Sequence, residues 1–172
     1  MVSAVGIASG GIRTSSFSAG PCRVGSVPSP ASCLVVSGDL AMRNRARSVA
    51  DITDWTVCDA PAGSEEMRAA ADREYDLVII DIAHPCGDRV TESVSLAEEF
   101  ARRPGTLLVV CSSGESIDDE LWARQLGVWA YLPEASTGDS LVSLFQEAGR
   151  MSARWMARLS PSVQRLRSMT GV

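Results

Sequence analysis

The stretch YDLVIID, residues 75–81, is the segment of the sequence that decides the fold. Residues 77–80 form a continuous apolar run of leucine, valine and isoleucine, and the carboxylate of Asp81 ends it. A short apolar run that does not alternate with polar residues is typical of a strand buried on both faces of a parallel sheet. The stretch therefore predicts a central strand with Asp81 at its carboxyl end.

Four further apolar runs of similar length surround this strand in the sequence. They are residues 33–36, 55–58, 106–111 and 128–132. Segments with helical periodicity and capping residues alternate with the strands, at about residues 39–49, 64–74, 91–102, 116–126 and from Thr137 onward. Strands and helices that alternate through short loops predict an α/β fold, in which a doubly wound parallel sheet carries helices on both faces.

Polar residues gather where the predicted strands end. Asp39, Asp81, the pair Cys111-Ser112 and the pair Pro133-Glu134 all lie at or just past carboxyl ends of strands. Ligands of open α/β sheets bind at this edge. We therefore expect any binding or chemistry to be located there.

Composition restricts the chemistry that the chain can carry out. The 172 residues carry a net charge of -5, which argues against a dedicated nucleic-acid binder. All sixteen basic residues are arginine, so a mechanism that needs a lysine ammonium group is excluded, and His84 is the only histidine.

The five cysteines predict no structural zinc site, because none of them forms a C-x-x-C pair. Buried thiols in a reducing cytoplasm are favoured over disulfides. No apolar stretch reaches transmembrane length, so a cytoplasmic protein without a membrane span is expected. Composition and periodicity predict a disordered tail over residues 1–31, one domain over 32–149 and a basic helical extension over 150–172.

From residue 32 to about 148, the order and spacing of these elements resemble a response-regulator receiver domain of the CheY-like type. Residues 76–85, DLVIIDIAHP, are similar to the receiver's third strand, in which a proline follows the phosphoacceptor aspartate by four residues. Residues 127–132, GVWAYL, resemble the entry to its fifth strand. The resemblance implies a flavodoxin-like sheet of order 2-1-3-4-5, with Asp81 as the phosphoacceptor.

The chain departs from the receiver pattern around that aspartate. An active receiver holds Mg²⁺ with an acidic pair after the first strand, where this chain has Ser37-Gly38. Asp39 lies one residue later and is either a metal ligand beside Asp81 or the N-cap of the first helix. The phosphate-binding hydroxyl falls on Cys111, with Ser112 next to it, and the phosphate-binding lysine falls on Glu134.

Three functions remain open at this stage. The first is an atypical stand-alone receiver, or pseudo-receiver, which signals through protein contacts and has no cofactor or enzymatic activity. The second is a phosphorylatable two-component receiver with a histidine kinase as partner, in which Asp39 and Asp81 hold Mg²⁺. The third is a small α/β enzyme with Cys111 as nucleophile and His84 as base.

Two regions are candidate partner surfaces. Receivers usually bind partners through the fourth helix, fifth strand and fifth helix, a region that includes Trp122 and Trp129. The apolar periodicity of the last helix continues through Met151, Trp155 and Leu159, for which the receiver body offers no obvious partner.

The extension over residues 150–172 contains five arginines and no acid, and it is too short for a DNA-binding domain. It predicts a helix that docks a signalling partner or forms a homodimer. Contact with an anionic surface and a frayed, solvated tail are the alternatives.

Overall fold

The computed structural model describes residues 30–83, 90–114, 116–133 and 138–158. Five strands alternate with five helices along these ranges. The strands are β1 (Ala31–Val36), β2 (Trp55–Ala60), β3 (Leu77–Asp81), β4 (Leu107–Ser112) and β5 (Ala130–Pro133). The helices are α1 (Leu40–Thr53), α2 (Glu65–Ala71), α3 (Val90–Ala101), α4 (Ile117–Leu126) and α5 (Gly138–Arg158).

The five strands form one parallel sheet in the order β2-β1-β3-β4-β5. This order confirms the predicted flavodoxin-like fold with β3 at the centre. Asp81 is the last residue of β3 and pairs in register with Cys111 of β4. Since all strands are parallel, their carboxyl ends lie along one edge of the sheet, which we call the carboxyl edge. The polar residues that follow the strands therefore lie along this edge.

The sheet separates two hydrophobic layers, and alternate residues of each strand enter opposite layers. Cys33 and Val35 of β1 pack in the layer beneath α1 and α5, whereas Leu34 and Val36 pack beneath α2 and α3. All four side chains are completely buried. Helices on both faces therefore explain why the strands are continuous apolar runs.

Capping side chains set the first residues of three helices. Asp39, Ser64 and Ser116 each accept hydrogen bonds from backbone amides in the first turn of the helix that follows. Two helix ends differ from the sequence prediction. α1 continues to Thr53, beyond the expected end near Val49, and α2 stops at Ala71, before the expected end near residue 74.

Helix α5 is longer than the sheet that it covers. Its 21 residues span about 30 Å, whereas a six-residue strand spans about 20 Å. A Cβ added to Gly149 would lie 3.8 Å from Nε1 of Trp55, the first residue of β2, so Gly149 lies level with the amino edge of the sheet. The last turns of α5 therefore project beyond that edge. No helix in the described ranges is long and apolar enough to cross a membrane.

Candidate functional site at the carboxyl edge

Asp81 lies at the carboxyl edge, but its side chain is almost completely buried, at 4% exposure. The hydroxyl of Ser37 donates a hydrogen bond of 2.5 Å to Oδ2 of Asp81. The backbone amide of Ala83 donates one of 2.9 Å to Oδ1. Both carboxylate oxygens therefore accept hydrogen bonds from within the domain, and they join the end of β1 to the loop that follows β3.

Ser37 is itself held by its surroundings. Its hydroxyl accepts a 3.0 Å hydrogen bond from the amide of Asp39, and its carbonyl accepts one of 2.5 Å from Nη1 of Arg43. Arg43 also lies 3.4 Å from the carboxylate of Asp59, with both side chains nearly buried. The guanidinium thus fixes the backbone of Ser37 and, through it, the hydroxyl that contacts Asp81.

The Asp39 carboxylate caps helix α1. It accepts hydrogen bonds from the amides of Ala41 at 2.8 Å and Met42 at 3.2 Å, and it lies 3.6 Å from Arg45. No described group of three or more histidine, cysteine, aspartate or glutamate side chains is arranged to hold a metal ion. The Asp39 carboxylate is therefore engaged by the helix amides and by Arg45 in this structure.

Cys111 occupies the position beside Asp81 in the neighbouring strand. Its side chain is completely buried in the layer beneath α1 and α5. Burial raises the pKa of the Cys111 thiol well above its usual range, and the nearby Asp81 charge adds to the rise. The group next to Asp81 is therefore a protonated thiol in an apolar environment.

Ser112 lies on the opposite face of β4 from Cys111, because successive side chains of a strand alternate. Its hydroxyl is buried and donates a 3.0 Å hydrogen bond to Oδ2 of Asp119 in α4. The structure thus brings Cys111 to Asp81 and directs Ser112 elsewhere. Glu134 and His84, the other predicted site residues at this edge, lie outside the described residues.

Arg43 and Asp59 support this site, and neither was predicted from the sequence. Arg43 follows the capping Asp39 by four residues, so one helical turn places both near the end of β1. Asp59 interrupts the apolar pattern of β2 and also receives two hydrogen bonds from Arg47, at 2.7 and 2.8 Å. An acid inside an apolar strand was the available signal.

The predicted partner-binding tryptophans of the α4–β5 region pack against the cores. Trp122 contacts the layer beneath α2 and α3, and Trp129 contacts the layer beneath α1 and α5. The large apolar side chains that α4 exposes are instead Ile117, at 83%, and Leu121, at 53%.

The structure separates the candidate residues of the C-terminal helix. Met151 packs against the layer beneath α1 and α5, so the expectation that it lacks a partner in the domain was wrong. The apolar face of α5 therefore remains in contact with the core for about one turn beyond Ala148. Trp155 is 41% exposed, and Leu159 lies outside the described residues.

Comparison with known proteins identifies the fold. The chain is similar to a CheY-like response regulator receiver domain from Methanospirillum hungatei JF-1, with 20% identity, a TM-score of 0.61 and coverage of 73% of this chain and 98% of that one. A response regulator from Thermotoga maritima gives 19% identity, a TM-score of 0.57 and coverage of 69% and 97%.

A third similar structure is a response regulator from Burkholderia pseudomallei with a phosphorylated aspartic acid, a calcium ion and citrate. It gives 18% identity, a TM-score of 0.55 and coverage of 72% of each chain. No protein-family model and no curated protein sequence matches this chain. The chain therefore has the fold of CheY-like receiver domains.

Proposed function

We propose that this chain is an atypical receiver that acts in signal transduction through protein contacts, without phosphorylation of Asp81. The fold supports a signalling role, because the similar structures are response regulators. The observation that carries the atypical assignment is the 2.5 Å hydrogen bond from Ser37 to Asp81. A serine hydroxyl contacts the carboxylate at the point where a phosphorylatable receiver would place an acidic metal ligand.

The chemistry of phosphoryl transfer explains why this substitution matters. Transfer to a carboxylate brings anionic oxygens together, and positive charge must neutralise them. The Asp39 carboxylate is occupied as a helix cap, and the Arg43 guanidinium contacts Ser37 and Asp59. Both groups are engaged within the domain, which supports a receiver whose Asp81 is not phosphorylated.

The burial of Cys111 argues against an enzyme that would use its thiol as nucleophile. The thiolate is the reactive form of cysteine, and the raised pKa of Cys111 keeps its thiol protonated at neutral pH. Complete burial also closes the sulfur to a substrate.

A phosphorylation assay tests the proposal on the full chain. Treatment with acetyl phosphate and Mg²⁺, followed by intact-mass spectrometry, should leave wild type and Asp81→Asn equally unmodified. Ser37→Asp adds a carboxylate beside Asp81 and should increase Mg²⁺ binding in a titration. Ser113→Asp, at an exposed serine just past β4, is the matched control and should not. Rapid Mg²⁺-dependent modification that Asp81→Asn abolishes would establish the phosphorylatable receiver instead.

The partner surface is proposed on α4, and the partner is expected to present basic residues. Ile117 and Leu121 are exposed one turn apart, and the exposed Asp118 beside them forms no ion pair with a described residue. Apolar contact with a charged rim is the usual composition of a protein interface.

Partner capture from the native cell lysate separates the surface from the phosphorylation site. A partner bound by the wild-type chain should be retained by Asp81→Asn and lost by Ile117→Arg, which places like charge against a basic surface. Thr56→Arg, at an exposed residue of the edge strand β2, is the control and should retain the partner. Loss of the partner in Asp81→Asn would contradict signalling that is independent of Asp81.

A further inference from the structure

Two exposed apolar side chains lie where α1 and α5 reach the amino edge of the sheet. Ile52, in the last turn of α1, is 73% exposed, and Trp155, near the end of α5, is 41% exposed. Contact with another surface would remove both side chains from water. We call these two residues, together with Asp51, Asp54 and Arg154, the amino-edge patch.

The orientation of α1 places Ile52 on the side toward α5. Arg43 and Arg47 lie on the side toward β2, because they contact Asp59 in that strand. Ile52 follows Arg43 by nine residues, which is about half a turn around the helix axis. Its side chain therefore points away from β2, toward the side on which α5 packs against α1.

Trp155 lies on the face of α5 that covers the core, beyond the point where the sheet ends. Gly149 of α5 faces the ring of Trp55, which follows the last residue of α1 by two positions. Trp155 lies seven residues, about two turns, after the completely buried Ala148 and continues the same helix stripe. The apolar contact surface of α5 thus extends past the sheet and ends on an exposed indole ring.

Opposite charges border the two sides of the amino-edge patch. Asp51 and Asp54 are exposed at the end of α1. The exposed Arg154 lies on the far side of α5, since it follows the inward-facing Gly149 by five residues, about 140° around the helix. None of these three side chains forms an ion pair with a described residue.

We propose that a second copy of this chain docks on the amino-edge patch. A twofold axis running along the groove between α1 and α5 would bring the acidic side of each copy against Arg154 of the other. Ile52 and Trp155 would then be buried between the two charged borders. A partner of a single charge sign would match one border and repel the other, so the pattern favours self-association. This inference does not depend on the chemistry of Asp81.

Sedimentation velocity of the full chain over a concentration series tests the proposal. We expect a reversible dimer whose dissociation constant rises by at least about 10-fold in Ile52→Glu and in Trp155→Ala. Added NaCl should weaken the dimer, because exposed charges contribute to it. Ile117→Glu, at the equally exposed isoleucine of α4, is the matched control and should dimerise like wild type. Circular dichroism establishes that each variant is folded.

A charge exchange tests the arrangement of the two copies. Asp51→Arg and Arg154→Asp should each weaken the dimer, and the double variant should restore most of the affinity. Asp54 is left unchanged because its backbone is left-handed, at φ 57°.

Three outcomes would overturn the proposal. The first is a chain that stays monomeric at every concentration, whether residues 159–172 or another protein covers the patch. The second is a dimer that Ile52→Glu and Trp155→Ala leave intact. The third is a dimer that Ile117→Glu dissociates, because the contact would then run through α4.

Discussion

Residues at the two edges of the sheet differ in how fully the rest of the domain contacts them. At the carboxyl edge, Ser37 bonds to Asp81 and Ser112 bonds to Asp119, and all but the partly buried Asp119 are nearly inaccessible. At the amino edge, by contrast, the ends of α1 and α5 present Ile52 and Trp155 to solvent. The strand-end polar groups of the carboxyl edge that the structure describes here are therefore satisfied within the domain, whereas the ends of α1 and α5 leave apolar side chains exposed at the amino edge.

This difference is consistent with the proposed action through protein contacts. The buried Asp81 carboxylate accepts hydrogen bonds from its own domain and so contributes to stability. Loss of one of these hydrogen bonds would lower the free energy of unfolding. Exposed apolar side chains contribute little to a monomer and gain free energy only through contact with another molecule. We therefore expect the buried hydrogen-bonded groups of the carboxyl edge to stabilise the fold, and the exposed side chains of the amino-edge patch to contribute little to its stability.

The largest expected effect on stability distinguishes a core residue of α5 from an exposed residue near the end of the same helix. Phe145 is completely buried and packs edge-on against Trp55, with ring centroids 5.5 Å apart. Phe145→Ala should lower the free energy of unfolding by about 3–5 kcal/mol, through lost burial and the cavity that remains. Trp155→Ala should change it by less than about 1 kcal/mol when measured by urea unfolding at low protein concentration.

Equal losses in Phe145→Ala and Trp155→Ala would contradict this division. They would mean that the domain core extends to the end of α5 and that the amino-edge patch is part of it.

A smaller effect on stability is expected when the hydrogen bond between Ser37 and Asp81 is removed. Ser37→Ala removes the hydroxyl that contacts the buried Asp81 and leaves Oδ2 without that donor. The loss should be about 1–3 kcal/mol of unfolding free energy, the range for the loss of a hydrogen bond to a buried or charged group. Ser113→Ala, at an exposed serine, is the matched control and should stay within about 0.5 kcal/mol of wild type. A Ser37→Ala variant as stable as this control would show that the hydrogen bond from Ser37 to Asp81 does not stabilise the domain.

The smallest expected effect is on the pH dependence of stability at alkaline pH, and it arises from the Cys111 thiol. Burial raises its folded-state pKa above the ordinary value of 9.0, so the unfolded chain loses this proton first as the pH rises. The stability from the protonated thiol is present below pH 9 and falls above it, by about 1.4 kcal/mol for each further pH unit. Cys111→Ala should reduce the slope of stability against pH by that amount between about pH 9.5 and 10.5.

Urea unfolding at a series of pH values measures this slope in both proteins. Cys58→Ala, at the half-buried cysteine of β2, is the control. If Cys111→Ala and wild type lose stability at the same rate, the Cys111 thiol is not isolated from solvent.

The chain's local patterns determined most of the fold. The run at residues 77–80 predicted the central strand because a strand covered on both faces must be apolar at every position. The alternation of strands and helices predicted the parallel sheet, and Asp81 was placed correctly at the end of β3. The capping role of Asp39 was one of two alternatives, and the structure shows the carboxylate on the helix amides.

Only the tertiary structure decided what these residues contact. Ser37 and Asp81 are 44 residues apart in the chain, and no local pattern indicates that one donates to the other. The same holds for the contact of Arg43 with Asp59. The exposure of Trp155 and the partial burial of Met151, four residues earlier on the same helix face, depend on where the sheet ends beneath α5. Sequence periodicity reports which face of a helix is apolar, but the length of the surface it covers is set by the elements packed against it.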